Sequence, residues 1–262
     1  MKRVFSNSKF QILSSGGILI LHSEFRILHS EFDMSRQFAR KLAKEYVDAG
    51  DPLGWFEALY AEGDPSKIPW ADLKVNPNFE EWLVRKNLQG EGKRTLKVGC
   101  GLGDDAERLA EFGFEVTAFD ISPTAIGWCE KRFPESKVQY LVHDLFSLPL
   151  EWKGAFDFVL ESYTIQVLPP DLRGRAIQCI ADLVAPGGTL LGIARGRKPE
   201  EPKGEMPWPL VRTRVDPLKM LSSTKRRANG ARVPMFSDKG EDCERMAGPD
   251  FNIQKAWGEI FL

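Results

Sequence analysis

The chain has little cysteine, few histidines, no long apolar run and almost no net charge. Its four cysteines (Cys100, Cys129, Cys179, Cys243) are scattered through 262 residues with no Cys-x-x-Cys and no histidine nearby. That spacing argues against a disulfide framework or a zinc site, and fits a reducing cytoplasm. Of three histidines only His143 falls in the central part of the chain, and no metal is expected. No stretch is long enough to span a bilayer. With 36 basic against 37 acidic residues, bulk charge draws the chain to neither nucleic acid nor a membrane surface. A cytoplasmic protein is expected, a monomer with a small-molecule partner by expectation rather than by any count above, and long enough for one large α/β domain with additions.

What the chain does have is glycine in a telling place. Thr95–Val98 reads as a short buried strand, and Gly99, Gly101 and Gly103 follow in alternation. Asp104 and Asp105 then open a helix with Ala106, Leu109, Ala110 and Phe112 on its apolar side, closed by Gly113. Such a turn lets backbone approach a ligand with no Cβ in the way, and the helix start offers free N–H groups. A second strand, Glu115–Asp120, ends on a carboxylate about twenty residues past the first glycine, where a ribose-binding acid sits in a Rossmann-type unit. Ser122-Pro123 supplies an N-cap and a first-turn proline for the next helix. Strands at Val138–Val142 and Ala155–Glu161 follow, the former leading into His143-Asp144-Leu145. Three strands therefore end on or just before an acid, at the edge where open α/β sheets bind ligands.

Asp104 and Asp105 would repel a dinucleotide's pyrophosphate at the helix start, yet could attract the ammonium of S-adenosylmethionine. Asp144-Leu145 is placed to bind an adenine amino group, and no Tyr-x-x-x-Lys pair is present for short-chain dehydrogenase chemistry. S-adenosylmethionine is the expected cofactor. Residues from about Trp55 to Arg197 resemble a class I S-adenosylmethionine-dependent methyltransferase, most nearly its thiopurine and thiol/halide branch. The residues that carry the resemblance are Val-Gly-Cys-Gly-Leu-Gly-Asp-Asp, Val-Thr-Ala-Phe-Asp-Ile-Ser-Pro, His-Asp-Leu, the run from Phe156 to Pro170, and Leu-Val-Ala-Pro-Gly-Gly-Thr-Leu-Leu. It implies a Rossmann-like, mostly parallel sheet with helices on both faces and an N-terminal aromatic lid over the cofactor. Trp55, Tyr60 and Trp70 are the lid candidates, since an aromatic face can stabilise a sulfonium. The expected cofactor set is completed by Gly99, Gly101, Gly103, Asp120, Ile121, Asp144, Leu145 and Glu161.

Beyond the fourth strand, Glu161 and Tyr163 are the catalytic candidates, and Tyr163 and Gln166 the substrate-binding ones. In the thiopurine enzymes an Asp-Arg pair occupies the place of Glu161-Ser162, so that branch's own substrate contacts do not carry over. A soft nucleophile such as a thiolate, selenolate or halide needs little help from a base, which fits the sparse histidine. His143 reads more readily as a packed neighbour of Asp144 than as a base. Two other classes stay open: a protein that binds the cofactor without turnover, and an NAD-dependent oxidoreductase.

The chain divides into four parts. Residues 1–33 carry a near-perfect repeat (Ile20–Arg26, Ile27–Asp33) and read as a disordered extension, with Met34 as the natural start. Residues 34–92 hold helices at Ser35–Val47 and Asn78–Leu88 with the aromatic lid between, and 93–196 form the cofactor-binding core, including a helix at Asp171–Val184 and a strand at Thr189–Ala194. Residues 197–262 turn basic and lose alternation. The antiparallel hairpin that normally ends class I folds is not legible there, and a frame shift near Leu210 would explain its loss.

Overall fold

A computed structural model describes residues 22–65 and 68–211 and the short strands Thr224–Arg226 and Arg232–Pro234, with 22–33 described as helical backbone only. The fold grows from β1 (Arg94–Val98), whose last four residues are all buried, as expected of a central parallel strand covered on both faces. It pairs in parallel with β2 (Glu115–Asp120) on one side and β4 (Phe156–Ser162) on the other. β3 (Gln139–Val142) lies outside β2 and β5 (Val184–Ile193) outside β4, giving a parallel sheet of order β3-β2-β1-β4-β5. The fold is α/β and Rossmann-like. The order reverses between β1 and β4, which opens a crevice at their carboxyl ends.

Helices cover both faces. One cluster packs α3 (Pro77–Lys86) and α4 (Asp104–Glu111) on the sheet through Phe79, Trp82, Leu83, Ala106 and Leu109. On the other face α6 (Pro170–Ala181) buries Ala176 and Ile180 against Leu96, Val98 and Val159. Local caps set where helices begin. Asn76 accepts from Asn78 N and Phe79 N ahead of Pro77, and the Ser122 hydroxyl accepts from Ala125 N to start α5 (Pro123–Arg132).

A third cluster joins α1 (His22–Asp48) and α2 (Gly54–Ala61) across the sheet edge through Ala39, Ala43, Trp55, Leu59 and Tyr60. α1 begins well before the expected start at Ser35 and runs through Met34. α2 was legible only as an aromatic-rich stretch, because eight residues give little periodicity to read. After β5, Gly196–Arg197 (β6) and Leu210–Val211 (β7) form a small parallel pair. Thr224–Arg226 (β8) and Arg232–Pro234 (β9) form an antiparallel pair where no hairpin was legible, separate from the main sheet. The expectations for residues 1–21 and the remaining tail, including what a frame shift near Leu210 would have replaced, lie outside the described residues. Among the described residues no helix is long and apolar enough to cross a membrane.

Candidate functional site

A cavity of about 380 Å³ opens at the carboxyl ends of β1, β2 and β4. That lies within the range of about 300–1,000 Å³ usual for small-molecule sites. Its floor is the glycine turn. Gly99 and Gly101 both have φ of 56°, a left-handed backbone that glycine adopts freely. At Gly99 an added Cβ would also fall 2.5 Å from the Thr164 hydroxyl. Asp120, at the end of β2, holds this turn: one carboxylate oxygen accepts from Gly101 N (2.9 Å) and the other from Ser122 N (3.1 Å). Burial pushes its pKa up, while those N–H groups and the Lys97 ammonium oppose the rise. A carboxylate has about four acceptor positions, more than these backbone N–H groups fill, so it can still accept from a ligand hydroxyl.

Along the β2–β3 side the cavity is lined by Ile121, His143, Asp144 and Leu145. Asp144 accepts from Phe146 N (2.8 Å), and the His143 ring packs edge-on against Trp152, 5.1 Å between centroids. The roof comes from the N-terminal helices. Tyr60 is buried, its hydroxyl accepts from Trp70 Nε1 (2.9 Å), and its oxygen stands close over Gly101. Burial and the Asp120 carboxylate drive the Tyr60 pKa well up, so it stays a neutral phenol. Tyr163, Gln166, Arg195 and Met206 complete the wall. Tyr163 has φ of 64°, rare for a bulky residue and costing on the order of 1–3 kcal/mol where the surroundings impose it. The buried Gln166 is fixed by accepting from Arg195 N (2.8 Å).

The cavity thus brings together Tyr60, Trp70, Gly99, Gly101, Asp120, Ile121, Asp144, Leu145, Tyr163 and Gln166. Three expected cofactor contacts fall outside its lining. Trp55 sits in the core, stacked on Phe56 at 4.0 Å and edge-on to Trp70, so it supports the roof without facing the cavity. Gly103 is the N-cap of α4, and its missing Cβ makes room for Tyr140, Cys129 and Phe133 instead. Glu161 points into the protein: it is 2% exposed, and one oxygen accepts from Thr164 N (2.7 Å) and Ile165 N (3.1 Å). Its carboxyl thus sits at the start of a short 3-10 turn, outside the cavity lining.

Two features were missed in the sequence. Lys97, in the middle of a buried strand, lines the cavity with its Nζ on Val98 O (3.0 Å) and Gly99 O (3.2 Å). A charged residue inside an apolar run was the available signal. Asp104 and Asp105 also divide their work: Asp104 forms a two-point pair with Arg132 (2.8 Å each), whereas Asp105 accepts from Asn76 N (2.8 Å) and Ser162 Oγ (3.1 Å).

Residues 95–188 match the family model of a methyltransferase domain. This core is a class I, S-adenosylmethionine-dependent methyltransferase domain. Among curated relatives, a ubiquinone biosynthesis O-methyltransferase of Xanthomonas campestris is 36% identical over 110 residues, 41% of this chain and 45% of that protein. One of the same name from Bordetella avium is 29% identical over 152 residues, 57% of each chain. A solved structure described as converting a disulfide bond into a thioacetal group during echinomycin biosynthesis is 28% identical, with a TM-score of 0.47 over 54% of this chain and 59% of that one. The chain spans about half the length of the curated relatives it matches. Neither relative is named for a thiol or halide acceptor, so the expected branch gains no support from them.

Proposed function

We propose that the protein transfers a methyl group from S-adenosylmethionine to a small acceptor that arrives as a ready nucleophile: a thiolate, a selenolate or a halide. The observation that carries this reading is the orientation of Glu161. The strand-end acid best placed in sequence to serve as a base is turned into the protein and capped by backbone N–H groups. The acids that line the cavity interior are engaged as well: Asp104 with Arg132, Asp105 with Asn76 and Ser162, Asp120 with the glycine turn, and Asp144 with Phe146 N. Asp72 is exposed, and His143 is held against Trp152 just after β3, with β2 and β1 between it and β4, which Tyr163 and Gln166 follow. Among the described residues, the Tyr163 phenol aside, the wall offers no idle buried base, which suits an acceptor that needs none.

The sulfonium supplies both the methyl group and a good leaving group. This chain's own part is positioning and exclusion of water. Asp120 and the glycine turn hold the nucleoside, Asp144 and Leu145 meet the adenine, and Asp105 attracts the ammonium. Tyr60 and Trp70 close over the sulfonium with apolar, electron-rich faces. Arg195, cationic at the acceptor side, favours an anion there.

A second reading, O-methylation, draws on the names of the curated relatives, and it would require an acceptor hydroxyl, such as that of a catechol, acidic enough to ionise without a residue at hand. Calorimetry with S-adenosylmethionine, S-adenosylhomocysteine and NAD, on wild type and Asp120→Ala, tests the cofactor first. The first two should bind and lose about tenfold or more in the variant, the usual cost of charge-assisted bonds in a buried site. Labelled-methyl assays should then favour thiols and iodide over catechols. Preference for catechols would replace the soft-acceptor reading with the second one, and binding without any transfer would leave a non-catalytic binding protein. NAD as the tighter ligand would overturn both.

A further inference from the structure

A lysine ammonium taken out of water needs a counter-charge, and Lys97, though it feels the buried Asp120 and Glu161 carboxyls, bonds directly only to backbone carbonyls. Its side chain is buried, 2% exposed, on β1, and it reaches the cavity beside Gly99. Two of its three N–H donors are given to Val98 O and Gly99 O. The carboxylates nearest in the fold, Asp120 and Glu161, are bonded to backbone N–H groups, and among the described residues no carboxylate lies within 4.0 Å of Nζ. One donor of a buried cation is therefore left over at the wall of a ligand cavity. Such a group is costly unless an anion meets it.

Resting on the cofactor reading above, we infer that Lys97 is a binding residue for the α-carboxylate of the cofactor's amino-acid end. The placement suits a zwitterion. Asp105 lines the cavity beside Ser162, which follows the residue paired with Val98 across β1 and β4. The two ends of the amino acid thus meet opposite charges on either side of one glycine turn: the ammonium meets Asp105 and the carboxylate meets Lys97. In the absence of ligand the two carbonyls hold the ammonium in place. Binding adds a charge-assisted hydrogen bond without moving the strand.

The carboxylate can be removed from the ligand as well as the lysine from the protein. Calorimetry would compare S-adenosylmethionine, its decarboxylated form and 5′-methylthioadenosine on wild type, Lys97→Met and Lys97→Gln. Wild type should bind S-adenosylmethionine about tenfold or more tighter than the decarboxylated form, the worth of a buried bond to a charged group. Both variants should erase that preference while their affinity for 5′-methylthioadenosine stays near wild type. A wild-type preference under about twofold would overturn the inference even if neither variant folds. So would variants that weaken all three ligands alike, because Lys97 would then serve only the buried acids around it. Wild type binding none of the three would instead overturn the cofactor reading itself.

Discussion

At the scale of single residues, the buried acids show how the same side chain takes different roles from its surroundings. Glu161 and Asp120 both lie at the carboxyl ends of strands, one the penultimate and one the last residue, yet one faces the protein and the other the glycine turn. Burial raises the Glu161 pKa to about 7, against the opposing pull of Ile165 N–H, the Lys97 ammonium and Thr164 N–H. A carboxyl whose pKa is raised on folding stabilises the fold while protonated, fully below its unfolded value, and that contribution is lost as pH rises through the folded value. Wild type should therefore lose up to about 3 kcal/mol from this group between about pH 5 and pH 8. Glu161→Gln keeps an acceptor for the two N–H groups and cannot ionise. Urea unfolding across that range should give a flatter stability profile for the variant than for wild type; parallel profiles would show that Glu161 does not titrate there.

At the scale of elements, what was legible in the sequence is what a short stretch decides for itself. The strand–turn–helix around Gly99 and the Ser122 cap depend on neighbours within a few residues, so pattern and spacing sufficed; the strand-end acids were legible in position but not in the direction Glu161 takes. The roof is another matter. Trp55, Tyr60 and Trp70 share one aromatic stretch, and only the packing of α2 on α5 separates the buried Trp55 from the residues that line the cavity. Lys97 was hidden in the same way, its role set by the cavity it borders. The packing of α2 on α5 is held by Glu57, whose carboxylate takes the Ser122 hydroxyl (2.5 Å), the Thr124 hydroxyl (2.6 Å) and Thr124 N (3.2 Å), more than sixty residues away. Burial pushes the Glu57 pKa up, but these hydrogen bonds prevail and hold it below the ordinary value. Its contribution is thus present above the unfolded pKa and lost as pH falls through the folded one. Glu57→Ala should cost about 1–2 kcal/mol near neutral pH, given its partial exposure. It should also weaken S-adenosylhomocysteine binding, because Phe56 and Tyr60 on α2 line the cavity. The stability gap should close in acid; a gap unchanged by pH would mean that lost packing, not the carboxylate, explains the cost.

At the scale of the whole molecule, the cavity is completed by segments far apart in the chain. Arg40 on α1 donates from Nε to Met206 O (2.6 Å) and pairs with Glu205 (2.7 Å), a contact across 166 residues that brings Met206 and Pro207 to the wall. The side chains of α1 that do this work, Arg36, Ala39 and Arg40, all follow Met34. The proposal that the working protein starts at Met34 can be weighed on that ground, even though helical backbone extends upstream to His22. A chain beginning at Met34 keeps the described contacts of α1 with α2 and with the segment after β6. Its S-adenosylhomocysteine affinity should stay within about 0.5 kcal/mol of the full chain, the range typical of changes away from packed features. Its thermal midpoint should move by no more than a few degrees. The comparison is informative because α1 would be shortened from 27 residues to about four turns, and a helix of that length persists only if tertiary packing holds it. Retained affinity would show that Ala39, Ala43 and the Arg40 clasp are enough to fix the roof. Lost affinity with an intact sheet would mean that the upstream turns stiffen α1 over the cavity, and that residues before Met34 belong to the working fold.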